Sequence, residues 1–407
     1  MRHRLMMVAL TLALLPGAPA AAQPGLGDAL TLQRALDQAL SKNPTIAAAR
    51  LHRAVTVAGL DVLRERPNPE TTLELTRETP RQAVGVAWPL ELGGKRSKRV
   101  AVGEATIRSG EAELTVTIAE IRSDVRRAYS DVLVTAARLA VLLELQDLSR
   151  RARDTAQARF DAGDAPRLEV LQADLAVGAA ENEAAATEGA ARAARTRLNA
   201  LLGEPLDADL RLADPLFTDA AMPAGAALDL ARSSSSELRL LDRRIEEQRA
   251  RVELANALRT PDVVPSASLT HDSQPEFDYG WRAGVAIVLP VLSTHKAGVR
   301  VEQATLDELT ATRQAVETRI AGDVTAAAAA ADAGRAAYIR YRDAILPQAE
   351  QVEQLAQDSY RLGQTGIAAL LQSLQAARDL RLRSIDAAAQ LRGAVADLER
   401  AIGAPLP

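Results

Sequence analysis

The chain contains no cysteine in 407 residues. Disulfides, thiolate nucleophiles, thiolate metal ligands and a lipid-bearing N-terminal cysteine are therefore excluded. Aromatic residues are scarce too: 3 Phe, 5 Tyr and 2 Trp amount to 2% of the chain. Ordinary globular cores lean on aromatics, whereas cores of Ala and Leu at heptad spacing belong to long packed helices. Beyond residue 22, the only imidazole or thioether side chains are His52, His271, His295 and Met222. They are scattered, with no pair at helical ligand spacing, so no metal site built from this chain's side chains is expected. No nucleophile–base pair, phosphate loop or metal cluster stands at a usable spacing. The sequence thus offers no catalytic residue, no cofactor site and no enzyme class. Past the N-terminus no apolar run reaches roughly 18 residues, so any membrane crossing must use a β-barrel.

What is present begins with a secretory signal over residues 1–22. Arg2 and Arg4 give a basic start, Leu5–Leu15 an apolar stretch, and Ala18 to Ala22 small-residue cleavage sites. Without those two arginines, 47 basic residues face 53 acidic ones. That mild acidity argues against a nucleic-acid partner.

The remainder states one plan twice. Phe160-Asp-Ala-Gly163 with Val170-Leu171-Gln172 recurs 200 positions later as Tyr360-Arg-Leu-Gly363 with Leu370-Leu371-Gln372. Leu202-Gly-Glu-Pro205 recurs as Ile402-Gly-Ala-Pro405. So long a unit implies a duplicated half-protein, residues 23–225 and 226–407, rather than a solenoid. Each half reads as helix, two strands, then long helices. In the first half, a helix from Leu30 breaks near Asn43-Pro44 and stops at Pro67. Alternating apolar residues then predict strands at about 71–78 and 82–92. In the second half the strands fall at about 266–272 and 279–291. Heptads at Ile118, Ile121, Val125, Ala128, Val132, Thr135, Leu139 and Leu142 predict coiled-coil-like packing in a helix from about Lys95 to Phe160. A second long helix, about Thr294 to Leu362, carries a seam from Ile320 to Ile345 with a kink expected at Pro347.

The strands read as two hairpins, each with one apolar face and two raw edges. Trp88, Phe277, Tyr279 and Trp281 concentrate there, as in a membrane-interface girdle. A small soluble sheet with tryptophan in its core is the alternative.

Taken together, Arg66-Pro-Asn-Pro-Glu70, Pro89-Leu-Glu-Leu-Gly-Gly-Lys-Arg96, the two Phe/Tyr-x-x-Gly turns and the Gly-x-Pro helix ends resemble the TolC-like outer membrane efflux factors. Within them the likeness is to the CzcC-type branch of heavy-metal exporters. The resemblance covers nearly all of Leu30 to Leu406. It implies a mainly helical fold with a small β part. Three chains would form a periplasmic α-barrel and share one transmembrane β-barrel of about twelve strands in outer membrane lipid. It implies a passive duct in the outer membrane of a Gram-negative cell. A periplasmic adaptor (membrane fusion) protein and an inner-membrane RND pump would be its partners. A drug-efflux or type I secretion channel, or a soluble periplasmic coiled-coil scaffold, are the competing expectations.

The resemblance makes the two glycine turns the periplasmic tips. It nominates Phe160, Gly163, Asp164, Leu171, Tyr360, Gly363, Thr365 and Leu371 as adaptor contacts, although any helical hairpin turn needs such a glycine. Some members carry acidic rings just past the second turn. The matching positions here are Ala369 and Gln372. Glu169, the first-half equivalent of Ala369, is then a candidate pore charge. Lys95, Arg96, Lys98 and Arg99 form a basic run at the wrong end of their own helix for its dipole, so another interaction is expected to hold them.

Overall fold

A computed structural model describes residues 29–217, 224–273 and 277–404. The signal segment 1–22 and residues 274–276, between the last two expected strands, lie outside them. The chain opens with α1 (Leu32–Lys42) and α2 (Pro44–Arg64). Thr31 caps α1 by accepting from the Arg34 amide, and Asn43 Oδ1 accepts from the amides of Thr45 and Ile46 to start α2. The break lies where Asn43-Pro44 requires it, since proline is tolerated in a first turn. β1 (Glu70–Leu75) and β2 (Gln82–Ala87) follow. Then α3 (Lys95–Asp161) runs unbroken for 67 residues, about 100 Å at 1.5 Å per residue. It reverses into α4 (Arg167–Leu202).

The second half repeats the order. α5 (Ala224–Ser234) and α6 (Ser236–Ala257) are split at Ser235, whose side chain caps α6. β3 (Val263–Ser273), β4 (Phe277–Ile287), α7 (Lys296–Arg340), α8 (Leu346–Arg361) and α9 (Ile367–Ile402) complete it. A π-helical turn, Tyr341–Ile345, separates α7 from α8 and places Pro347 in the first turn of α8. The expected kink is thus absorbed one turn before the proline, where the widened turn removes the clash.

The strands depart from expectation in two ways. β2 ends at Ala87 rather than 92, and β4 at Ile287 rather than 291. Pro89 and Pro290 follow each end and have no N–H for the ladder. β3 instead begins earlier, at Val263, and passes through Pro265, whose carbonyl accepts from the Trp88 amide at 2.9 Å. More importantly, the two hairpins are not separate. β2 pairs antiparallel with β3, so one sheet runs β1-β2-β3-β4. Only β1 and β4 keep a free edge.

The helices pack through small side chains. Ile121, Val125, Ala128, Tyr129 and Val132 of α3 meet Leu36, Ile46, Leu198 and Leu202 in one buried cluster. The seam of α7 buries Ile320, Val324, Ala327, Ala331 and Gly334. Gly334 lies so close to α9 that a Cβ there would stand 3.2 Å from the Leu391 Cα. The segment after α4 is strapped to this wall. Asp214 accepts from the Leu32 amide at 2.7 Å, and the buried Tyr129 hydroxyl lies 2.8 Å from both Asp214 Oδ2 and the Leu30 carbonyl.

The helix ends of the two halves match. Gly163 and Gly363 have φ of 81° and 75°, and Gly203 and Gly403 have 69° and 79°. Each left-handed residue closes its helix as glycine does best. Gly203→Ala combines strained φ with a Cβ placed 2.8 Å from the Lys42 carbonyl oxygen. It should cost about 1–3 kcal/mol in denaturant unfolding. Gly178→Ala, in α4 with nothing within 4 Å of its Cβ, should instead be neutral or stabilise by up to about 1 kcal/mol.

Candidate functional site

Two regions hold the residues nominated from the sequence: the sheet and the pair of glycine turns. In the sheet, register places Leu73, Val84, Leu269 and Trp281 in one row across all four strands. Directly paired residues share a face, so these large side chains leave on the same side. All are exposed, Leu269 by 70% and Trp281 by 79%. Tyr279, Val285 and Ile287 join them on β4, as do Val86 and Trp88 on and beside β2. The opposite rows are Thr72, Gly85, Ser268, Arg282 and Glu74, Ala83, Thr270, Gly280. All of these but Gly280 line a concave groove. Large residues outside and small or polar residues inside let the sheet curl with its apolar face convex. Trp88 lies level with Pro265, and Tyr279 pairs with His271. These two aromatic levels are about 20 Å apart along β3 at 3.3 Å per residue. Phe277 opens β4 and pairs with Ser273; its side chain is outside the described ones.

The basic run finds its partners where the sheet meets the helices. Arg96 Nε donates to the Arg64 carbonyl at 2.8 Å. Arg99 donates to the carbonyls of Leu63 and Glu65 and to the Glu91 carboxylate. The buried Lys95 ammonium lies 2.7 Å from Asp262, and Lys98 lies 2.9 Å from Glu253. Two of the cations that oppose the dipole of α3, Arg96 and Arg99, thus serve the C-terminal carbonyls of α2, and the two lysines pair with carboxylates.

At the far end, the two tip turns are built alike. Gly163 and Asp164 amides donate to Phe160 and Arg159 carbonyls; Gly363 and Gln364 amides donate to Tyr360 and Ser359 carbonyls. Gly163, Asp164, Gly363 and Thr365 are exposed, as are Phe160 and Leu171. Two nominated contacts, Tyr360 and Leu371, are less accessible than the rest. Tyr360 is 1% exposed, against 39% for its counterpart Phe160. Leu371 is half-buried against the cluster that Tyr360 forms with Ala156, Val170, Ile367 and Leu370. These two therefore support the tip from inside.

Glu169 is likewise not a free pore charge within this chain. Its side chain is 14% exposed; Oε2 accepts from the Tyr360 hydroxyl at 3.2 Å and lies 3.7 Å from Arg159 Nη1. Arg159 also sits over the Tyr360 ring, 4.9 Å from its centroid. Burial, and then the Glu169 carboxylate, push the Tyr360 hydroxyl up to about 12, so it remains the donor at any physiological pH. The sequence reading passed over Arg159. It also passed over Leu168, which adds exposed apolar surface beside Phe160 and Leu171. Arg159 adjoins Phe160 in sequence, but its partner is 201 positions away.

The family described as "Outer membrane efflux protein" matches residues 35–204. The cobalt-zinc-cadmium resistance protein CzcC of Cupriavidus metallidurans is 27% identical over 389 residues, 92% of this chain and 90% of that protein. Both likenesses point to outer membrane efflux proteins. The fold agrees. A crystal structure of CusC superposes with a TM-score of 0.74 at 15% identity, over 97% of this chain and 99% of that one. The CmeC outer membrane channel of Campylobacter jejuni superposes with a TM-score of 0.77 at 12% identity, over 98% and 94%. This efflux protein is thus an outer membrane channel, from a family of channels rather than enzymes. Among the described residues no helix is long and apolar enough to cross a membrane.

The two faces of the sheet should then differ in tolerance. Leu269→Arg on the convex face should cost about 2–4 kcal/mol in the membrane and sharply reduce folded protein in purified outer membranes. Ser268→Arg, the next residue on the concave face, should assemble at near wild-type yield.

Proposed function

We propose that three copies of this efflux protein close into a single duct that carries heavy-metal cations out of the cell. The observation that carries the closure is the open sheet. Among the described residues its β1 and β4 edges are unpaired within the chain, while its convex face is mostly apolar and exposed. Pairing β4 of one copy with β1 of the next satisfies both edges, and three sheets of four strands give a barrel of about twelve, an even number within the known range. The exposed apolar stripe Leu51, Val55 and Val62 on α2 and exposed Val301 on α7 supply surfaces for the same lateral contact between helices. The two levels of aromatics act as interfacial girdles. We also read the matching halves as a duplicated unit, so that three chains make a wall of six similar segments.

The cargo follows from the likeness to CzcC, which spans nine-tenths of both chains. An RND-type inner-membrane pump would supply the energy, and a periplasmic adaptor would bridge to the tips. Exposed Phe160, Leu168 and Leu171, with the turn residues Gly163, Asp164, Gly363 and Thr365, form the surface for that adaptor. Leu362, 66% exposed on the second turn, extends it. Arg159, Glu169 and Tyr360 tie the two tip hairpins together from within.

In detergent the protein should have three times the mass of one chain by light scattering; a stable monomer would overturn the closure. Deleting the gene should sensitise cells to zinc, cobalt or cadmium, with rescue from a plasmid. Sensitivity confined to hydrophobic drugs would leave the channel and remove the metal assignment. Tyr360→Phe should leave assembly intact but loosen the tip. Losing about 1 kcal/mol there should speed limited trypsin cleavage near Arg361 about fivefold. Unchanged cleavage would show that the contact does not hold the hairpins.

A further inference from the structure

Far from the tips and the sheet, a cavity of about 200 Å³ lies between the middle of α3, the start of α6 and the end of α9. Its charged and buried polar lining is Arg122, Ser123 and Arg126 from α3, Arg239 from α6, and Glu399 and Arg400 from α9. Four guanidinium groups thus share one carboxylate. Glu399 is committed to Arg126 at 2.8 Å. Arg239 is committed to the backbone carbonyls of Ser234 and Ser235. Arg122 is not: its Nε is enclosed and has no hydrogen-bond partner. Neither has the hydroxyl of Ser123, a residue only 4% exposed. Buried donors are nearly always satisfied, because an unpaired one forfeits its hydration. Two in adjacent residues, in a cavity with excess positive charge, mark a place for an acceptor.

The surroundings select an anion. Burial lowers the Arg126 pKa, and the like charge of Arg122 lowers it further against the pull of Glu399. Ser236, the first residue of the 22-residue helix α6, also lines the cavity, so the positive end of that helix points toward it. Guanidinium groups pair with oxyanions through two parallel N–H donors.

We propose that this cavity binds a small free oxyanion, of which inorganic phosphate is the simplest, held by Arg122 and Ser123 with Arg400 at its mouth. A lipid headgroup is not the source. Arg122 lies about 40 Å along α3 from Lys95 at the sheet junction, well outside the membrane. The bound anion fastens the end of α9 and the start of α6 to α3.

The test is calorimetric titration of the full-length protein in detergent with inorganic phosphate, against chloride at equal ionic strength. Phosphate should bind with a saturable heat that chloride does not reproduce, and should raise the unfolding temperature. Arg122→Gln should weaken binding about tenfold, the loss of one charged hydrogen-bonding group. Ser123→Ala and Arg400→Gln, which leave the wall packing in place, should each weaken it several-fold. Arg361→Gln removes the same charge at the tip and should change nothing. No phosphate-specific heat in the wild-type protein would overturn the proposal, as would binding undiminished in Ser123→Ala and Arg400→Gln.

Discussion

Everything in this molecule answers to one constraint: a four-stranded sheet with most of its large apolar side chains on one face and two bare edges. In water that object is unstable, because the apolar face is unburied and the edges invite aggregation. In hydrocarbon the face is satisfied, but the edges become more costly, since no water remains to bond them. Only pairing with further copies removes both penalties. The long helices follow from the same demand. They have no helical span to offer the membrane, so they hang from the sheet and must pack on each other.

The junction between sheet and helices is where this arrangement is held in register. α3 starts with four cations, the wrong sign for its own N-terminus. They are retained because α2 ends beside them, and its last carbonyls need donors. Arg96 and Arg99 supply these, while Lys95 and Lys98 reach Asp262 and Glu253 from the other half of the chain. The basic cluster therefore binds α2, the β3 approach and α6 to one point. It is a structural clamp, and lipid contact is not needed to explain it.

How much of this was legible in the sequence depends on the range over which each feature is determined. Heptads, helix breaks at Asn43-Pro44 and the glycine turns are local, and their positions were readable to within a residue or two. The strand ends were less so, because alternation continues past Pro89 and Pro290 while hydrogen bonding does not. The pairing of β2 with β3 was out of reach. It joins Gln82 to His271, across nearly half the chain, and nothing in either segment names its neighbour. The role of Tyr360 was hidden for a different reason. In pattern it equals Phe160, so reading by repeat assigned both the same exposure. The hydroxyl is the difference, and its partner Glu169 lies in the other half.

That asymmetry extends beyond one residue. The tip contact consists of Arg159, Glu169 and Tyr360, and the positions 200 away from them are Ser359, Ala369 and Phe160. None of the three counterparts can reproduce the interaction: the cation, the carboxylate and the hydroxyl are all missing together. In a closed ring of alternating halves, the counterpart of a contact within a chain is a contact between chains. Each tip hairpin would then be tied firmly to its sister in the same chain and only through apolar and turn residues to the neighbouring chain. Phe160 has no hydroxyl for a carboxylate to hold, and it is 39% exposed at its turn. Two turns of matching backbone geometry thus differ in what surrounds them: Tyr360 is buried in a contact with Arg159 and Glu169, while Phe160 is partly exposed.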